Sequence, residues 1–330
     1  MRTGEDGELE LTPRTLTFPF GVVNLIVDEE SLVWHPYQLK DFLPTVEIGV
    51  RGMRNRYRTP GLGAALIAGL EPLEGVEIPR GYRLPPNLNV PVTALIRPGD
   101  VYAGIEAGVI NADLQLYVQD RADEVTINDF TLPLEYDSTT ALAYSLEISQ
   151  FWDFELAGFR LGSLNPLEKA APDGLFLMAP YHPGRVPVVL VHGTASSPAR
   201  WAELVNEVMG DPKLNHRVQF WFFTYPTGNP ILLSGANLRE SLATTLAELD
   251  PDGTDPALEN LVVIGHSQGG LLTKLQAVDS GMSFWENVSD KPVEESDLSE
   301  ETLTKLKRAT IFDPLPFVKR VVFMATPHGG

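Results

Sequence analysis

Six residues, Gly265-His266-Ser267-Gln268-Gly269-Gly270, combine a hydroxyl with a spacing that could make it a nucleophile. An unassisted serine hydroxyl is weak, so its chemistry depends on where the backbone puts it. The apolar run Leu261-Val262-Val263-Ile264 leads in, and Leu271 to Val278 leads out with the composition of a helix. A serine on a sharp turn between strand and helix stands clear of the backbone, as in a nucleophile elbow. Such a turn is strained. Residues two before and two after the serine would collide if they carried side chains, which accounts for Gly265 and Gly269. A helix starting at Gln268 aims its amide dipoles at the point where negative charge develops in acyl transfer. Gly-x-Ser-x-Gly alone is a common pattern, and a tight turn with a surface serine is the plain alternative. The flanking strand and helix favour the chemical reading.

The elements that must position this serine lie in residues 151–330, where strands and helices alternate. Phe154–Leu161 and Leu175–Ala179 are candidate strands. Val186-Pro187-Val188-Val189-Leu190-Val191 is a continuous apolar run, as expected of a strand buried on both faces, and it ends at His192-Gly193-Thr194. A helix follows with Ser197 as N-cap and Pro198 in its first turn, running through Trp201 to Val208. Gln219–Tyr225 is the next strand, stopped by Pro226. Ser234–Leu249 is a helix whose stripe of Leu238, Leu242, Leu246 and Leu249 is core. Arg320–Ala325 is the last strand. An insert over 281–319 carries Phe284, Trp285, Phe312 and Phe317 with an acid-rich run from Glu286 to Glu301. It reads equally as a lid and as a surface excursion.

Residues 1–150 read as a β-rich domain of unassigned role. Asn89–Ile96 and Asp113–Val118 have strand patterning, and Val125–Tyr136 alternates around Pro133. Short strands punctuated by Pro and Gly suggest a sandwich-like unit or a partial barrel. Arg51 to Arg58 form a basic knot, which is either a contact for an anionic headgroup or phosphate, or a loop paired with neighbouring acids; the second is the commoner outcome.

Three motifs stand in order: Val188 to Thr194, Gly265 to Gly270, and Ala325-Thr326-Pro327-His328-Gly329-Gly330. The set resembles the α/β-hydrolase superfamily, specifically bacterial lipases and GPI-inositol-deacylase-like serine hydrolases, over residues 175–330. The resemblance implies an α/β-hydrolase-type, mostly parallel but incomplete sheet behind the β-rich domain. It implies Ser267 as nucleophile and an oxyanion hole from the amide of Gln268 and one from the Gly193-Thr194 loop. Gly265, His266 and Gly269 would support the elbow, with His266 packed beneath it. His192 would shape the oxyanion loop, and His328 would be a turn residue. The implied reaction is cleavage of a carboxylic ester, small or lipid, through an acyl-enzyme, with no metal and no organic cofactor.

In that family the triad runs serine, acid, histidine. His35, His182 and His216 are poorly placed, Asp250, Asp252 and Asp255 follow a helix, and Asp313 lies in the insert. The expectation is therefore a triad acid and histidine beyond Gly330, in a chain that is a fragment of a longer hydrolase. An apolar last strand left at a sheet edge points the same way. The rival reading is a non-catalytic binding or scaffold protein with an idle elbow.

Composition narrows the partners. There is no cysteine, which excludes thiolate chemistry and disulfides. A net charge of −19 opposes nucleic acid. Residues 1–10 are acidic and lack the pattern of a signal peptide, and the apolar stretches Phe18–Val27 and Gly61–Leu70 are too short to span a bilayer. Location stays open on these grounds. The resemblance allows an exported or envelope-associated protein with peripheral membrane contact, and it leaves oligomeric state open.

Overall fold

The computed structural model describes residues 2–3, 9–85, 87–148, 174–194, 196, 198–289, 292 and 298–329. The expected strand over 154–161, the cap at Ser197 and residues 290–291 and 293–297 of the acidic run lie outside the described residues. Internal contacts divide the chain into two compact units. One comprises Met1–Ile78, Pro86–Ser149 and Ala202–Gly210, the other Pro79–Pro85, Gln150–Trp201 and Asp211–Gly330.

The first unit is built on one seven-stranded sheet. Its strands are β1 (Arg14–Phe18), β2 (Gly21–Val27), β3 (Val33–Trp34), β4 (Tyr37–Pro44), β5 (Ala64–Pro72), β6 (Asn89–Pro98) and β7 (Val109–Val118). They lie in the order β1-β2-β7-β6-β5-β4-β3. Only β2 and β7 pair parallel, with Val109 opposite Val22; the other neighbours are antiparallel. Along β7 every second residue from Ile110 to Val118 is buried, the period-two pattern of a strand with one face on a core. Helix α1 (Val101–Ala107) bridges β6 and β7. It is capped by Asp100, which accepts from Ala103 N at 2.9 Å, and ends at Gly108 with φ 70°. Helices α2 (Ser138–Ile148) and α3 (Ala202–Met209) pack through polar contacts. The Thr139 hydroxyl donates to Asn206 at 2.6 Å, and Asn206 donates to Asn55 O at 2.9 Å.

The basic knot is tied up within this unit. Arg56 Nε donates to the fully buried Asp137 at 2.9 Å, and Arg58 pairs with Glu135. Arg54 N reaches Glu203 at 3.2 Å, and Asn55 and Tyr57 both donate to Glu207. The hydrogen bond to Glu207 raises the Tyr57 pKa, so the phenol stays a donor. Val125–Tyr136 is not one alternating strand. Asn128, at φ 53°, turns the chain into a hairpin of Glu124–Ile127 with Phe130–Pro133.

The second unit holds a separate five-stranded sheet of β8 (Gly174–Leu177), β9 (Val186–Val191), β10 (Val218–Thr224), β11 (Leu261–His266) and β12 (Val318–Met324). Their order is β8-β10-β9-β11-β12, and β8 runs antiparallel to β10. Register puts Val191 opposite Gly265 and Gly265 opposite Phe323, so the ends of β9, β11 and β12 meet at one end of the sheet. Helix α4 (Ile231–Leu249) buries Leu238 and Leu242 but fills the next turn with Thr245; Leu246 and Leu249 are half-buried. Within 281–319, α6 (Ser283–Glu286) buries Trp285, and α7 (Glu300–Thr310) docks Arg308 on Asn237 and Glu240 of α4. Phe284 stacks on Phe312, and the Arg239 guanidinium lies 3.7 Å from the centre of that ring. These contacts account for Phe284, Trp285 and Phe312 of the insert.

The expected fold class is overturned. Strand outweighs helix, 34% to 29%, and the sheets are a curled mixed one of seven strands and a separate one of five, not a mostly parallel α/β-hydrolase sheet. Nor do residues 14–118 form a sandwich. Seven of their strands join one sheet, the short strand Arg58–Thr59 pairs with Tyr136–Asp137 instead, and α1 and α2 supply packing that a second sheet would otherwise have given. The motifs behind the expectation are local to three strand ends, so they place no constraint on the number or direction of the remaining strands.

Candidate active site

The serine turn forms where β11 gives way to helix α5 (Gln268–Leu275), which starts at Gln268 and ends three residues before Val278. Ser267 has φ 52° and ψ −123°, a region L-residues rarely occupy. Its neighbours force this. A Cβ on Gly265 would lie 2.4 Å from both Gly269 O and Thr273 Oγ1, and one on Gly269 would lie 2.3 Å from Val191 O and His192 O. Both are far inside van der Waals contact, so only glycine lets helix and strands close this tightly. Gly270 is equally confined, since a Cβ there would fall 1.8 Å from Thr326 Oγ1. Ser267 N donates to Met324 O at 2.8 Å, and Ser267 O accepts from Gly270 N at 3.0 Å. The backbone is therefore fixed at both ends. The side chain occupies the N-cap position of α5 yet makes no capping hydrogen bond. A serine there ordinarily caps its helix; this one makes no hydrogen bond through its hydroxyl among the described residues.

The loop after β9 passes directly against the serine. A Cβ on Gly193 would be 2.8 Å from Ser267 Cβ and 3.0 Å from His266 Nδ1, so a side chain at 193 would occupy the space beside the hydroxyl. Thr194 Oγ1 donates to Gln268 Oε1, and Gln268 Nε2 donates to Thr227 O at 3.3 Å. The Gln268 side chain thus ties the loops after β9 and β10 to the first residue of α5. Its backbone N–H belongs to the first turn, where no intrahelical acceptor exists. Residues 193, 194, 267 and 268 form one cluster. Donors at the head of a helix beside a nucleophile are what an oxyanion requires.

His192 is buried, and burial lowers its pKa from 6.5 to about 4, with the Gly193 carbonyl opposing the shift. Nδ1 is 3.1 Å from Gly193 O; a carbonyl only accepts, so the proton of the neutral ring sits on Nδ1. The ring stacks on Tyr225 at 4.5 Å, and Tyr225 Oη donates to His192 O at 2.8 Å. Burial raises the Tyr225 pKa and keeps that donor protonated. Tyr225 went unnoticed in the sequence as the last aromatic of a buried strand. Its one signal was a polar tip at a strand end facing the oxyanion loop. His266 is half-buried, like Val262 and Ile264 on the same face of β11, and its ring lies close to Gly193 of the neighbouring loop, where a Cβ would be 3.0 Å from Nδ1.

No histidine or carboxylate hydrogen-bonds Ser267 among the described residues. His328 sits in the turn after β12, edge-on to Phe323 with ring centres 4.6 Å apart, and Ala325 ahead of it has φ 49°. Asp250 accepts from Thr254 and Asp255 N, and Asp255 accepts from Tyr181, Gly184 N and Ala257 N; these bonds hold a loop. The described residues contain no group of three or more His, Asp or Glu able to hold a metal ion. No helix among them is long and apolar enough to cross a membrane. Compared with models of protein families, with curated proteins and with solved structures, the chain matches none.

Proposed function

We propose that the protein is a serine hydrolase that cleaves carboxylic esters, small or lipid, through an acyl-enzyme on Ser267. One observation carries the reading: Ser267 is held at φ 52° between strand and helix with no capping hydrogen bond from its side chain, and the 193–194 loop packs directly against it through Gly193, where a side chain would not fit. Strain of roughly 1–3 kcal/mol at a single polar residue is characteristic of working sites. The motif set's resemblance to bacterial lipases supports an ester as substrate. In the proposed reaction Ser267 Oγ attacks the ester carbonyl and loses its proton to a base. The oxyanion is received by the Gln268 amide and an amide of the 193–194 loop, and the alcohol leaves. Water then attacks the acyl-enzyme and releases the acid. The neutral His192 fixes the loop and does not serve as base, since its ring is buried and bonded to Gly193.

A second reading has an observation of its own. No described acid–histidine pair reaches Ser267, which fits a binding or scaffold protein with an idle elbow. Fluorophosphonate labelling separates the two, because it requires an activated serine. Labelling of the chain that disappears in Ser267→Ala, with short-chain ester turnover lost in parallel, supports the hydrolase. A folded chain that never labels supports the binding protein.

A further inference from the structure

Helix α1 is packed in an unusual sense. Its contact with the sheet is Gly104, where a Cβ would lie 2.7 Å from Ile110 Cγ1 and 3.0 Å from Val109 O. Its larger apolar residues, Val101, Tyr102 and Ile105, face solvent, Tyr102 being 86% and Ile105 47% exposed. A surface helix normally turns its apolar residues inward.

Register places a second apolar group beside it. Val23 on β2 pairs with both Leu16 on β1 and Ile110 on β7, so these three side chains share one face, the face on which α1 sits. Phe18, two residues beyond Leu16, lies on that face too. It is 42% exposed and stacks on Phe20 with ring centres 5.4 Å apart. The hairpin tip bearing Phe20 abuts the end of α1: Val22 N donates to Gly108 O at 2.9 Å, and Gly21 permits the approach. Leu16, Phe18, Phe20, Val101, Tyr102 and Ile105 therefore form one exposed apolar patch at one end of the seven-stranded sheet. Patches of this kind mark interaction sites.

We infer that this end of the sheet seats in the interfacial layer of a zwitterionic lipid bilayer. The reading does not depend on Ser267 being catalytic. Charge selects the occupant. Residues 15–22 contain no charged side chain and α1 contributes only Glu106, in a chain of net charge −19. An anionic surface would repel such a protein, and nothing at the patch matches a basic one. A neutral interface imposes neither cost. The groups also project, on a two-residue hairpin tip and a short helix, and a fluid interface accepts projecting aromatic and aliphatic groups without a complementary recess.

The test is cosedimentation of the full chain with phosphatidylcholine vesicles. Binding is expected, unchanged on raising salt to about 0.5 M and weakened by phosphatidylserine. The double variant Tyr102→Ser, Ile105→Ser is expected to lower partitioning roughly tenfold or more. Both residues are exposed, and an unchanged circular dichroism spectrum and melting curve certify the fold; Phe18→Ser with Phe20→Ser gives an independent second variant. The inference is overturned if the wild type stays in the supernatant, or if both variants bind as the wild type does. Salt-sensitive binding that requires anionic lipid overturns it as well. So does sedimentation velocity showing a dimer that either variant dissociates, because the patch then belongs to a second copy.

Discussion

Residues 51–58 and 265–270 both stood out in the sequence by composition, and they treat their polar groups in opposite ways. In the basic segment Arg56 is bound by Asp137 and Thr45 O, Arg58 by Glu135, and Tyr57 and Asn55 by Glu207. Those residues spend their polar atoms inside the unit. At 265–270 the backbone is fixed on both sides while the one hydroxyl caps nothing. The difference teaches where to look for chemistry. A cluster of charge whose partners are internal is architecture, whereas a fixed backbone presenting an uncommitted polar atom is a site.

The largest effect that sharpens this contrast belongs to the basic segment. Asp137 is fully buried and serves two arginines as well as Thr140 N, to which it is bonded at 3.0 Å. Asp137→Ala should destabilise the chain by about 3 kcal/mol, toward the low end for a broken buried pair because Arg56 can still reach water. Urea denaturation measures it, and a loss below about 1 kcal/mol would put this pair with ordinary surface ion pairs and erase the distinction.

Next in size is a pH effect from the site itself. His192 titrates near 4 in the folded state against 6.5 when exposed. As pH falls below 6.5 the unfolded chain binds a proton that the folded chain refuses, so stability is lost between about pH 6.5 and 4 and is level above that window. The full loss is on the order of 3 kcal/mol. Stability measured at pH 7 and at pH 4.5 in the wild type and in His192→Asn isolates it: the variant should show a shallower fall. Equal slopes in the two proteins would place the titration elsewhere and remove His192 as a neutral brace of the oxyanion loop.

What the sequence disclosed was what local sterics dictate. Val186–Val191 was legible to the residue because a β-branched run between turn residues has one good solution. Gly265 was legible because its side-chain-free space is set by Gly269, Gly270 and Thr273, a few residues away; Gly269, confined by Val191 and His192 of a distant strand end, was legible only through the spacing of the motif. The missed features are non-local or break the usual pattern. Helix α1 packs through Gly104 with its apolar residues outward, and α2 buries Thr139, Thr140 and Ser145; neither shows an apolar stripe facing the core. The parallel pairing of β2 with β7 joins residues more than eighty positions apart, which no window along the chain reveals. The same holds for Tyr225, whose role exists only because β10 and β9 are neighbours.

The smallest effect tests the comparison at its root, and its sign differs from the first. Ser267 at φ 52°, ψ −123° occupies close to the mirror image of an ordinary extended conformation, which glycine enters without steric cost and other residues do not. Ser267→Gly should therefore raise stability by roughly 0.5–1 kcal/mol, the relieved strain less the extra freedom glycine gains on unfolding. Ser267→Ala loses the same hydroxyl but keeps a Cβ, so it should show no such gain. Thermal melting of the two variants side by side separates backbone strain from any structural use of the oxygen. If the glycine variant melts no higher than the alanine variant, no strain is held at this turn. The serine would then be an ordinary surface residue, no different in kind from the satisfied groups of the basic segment.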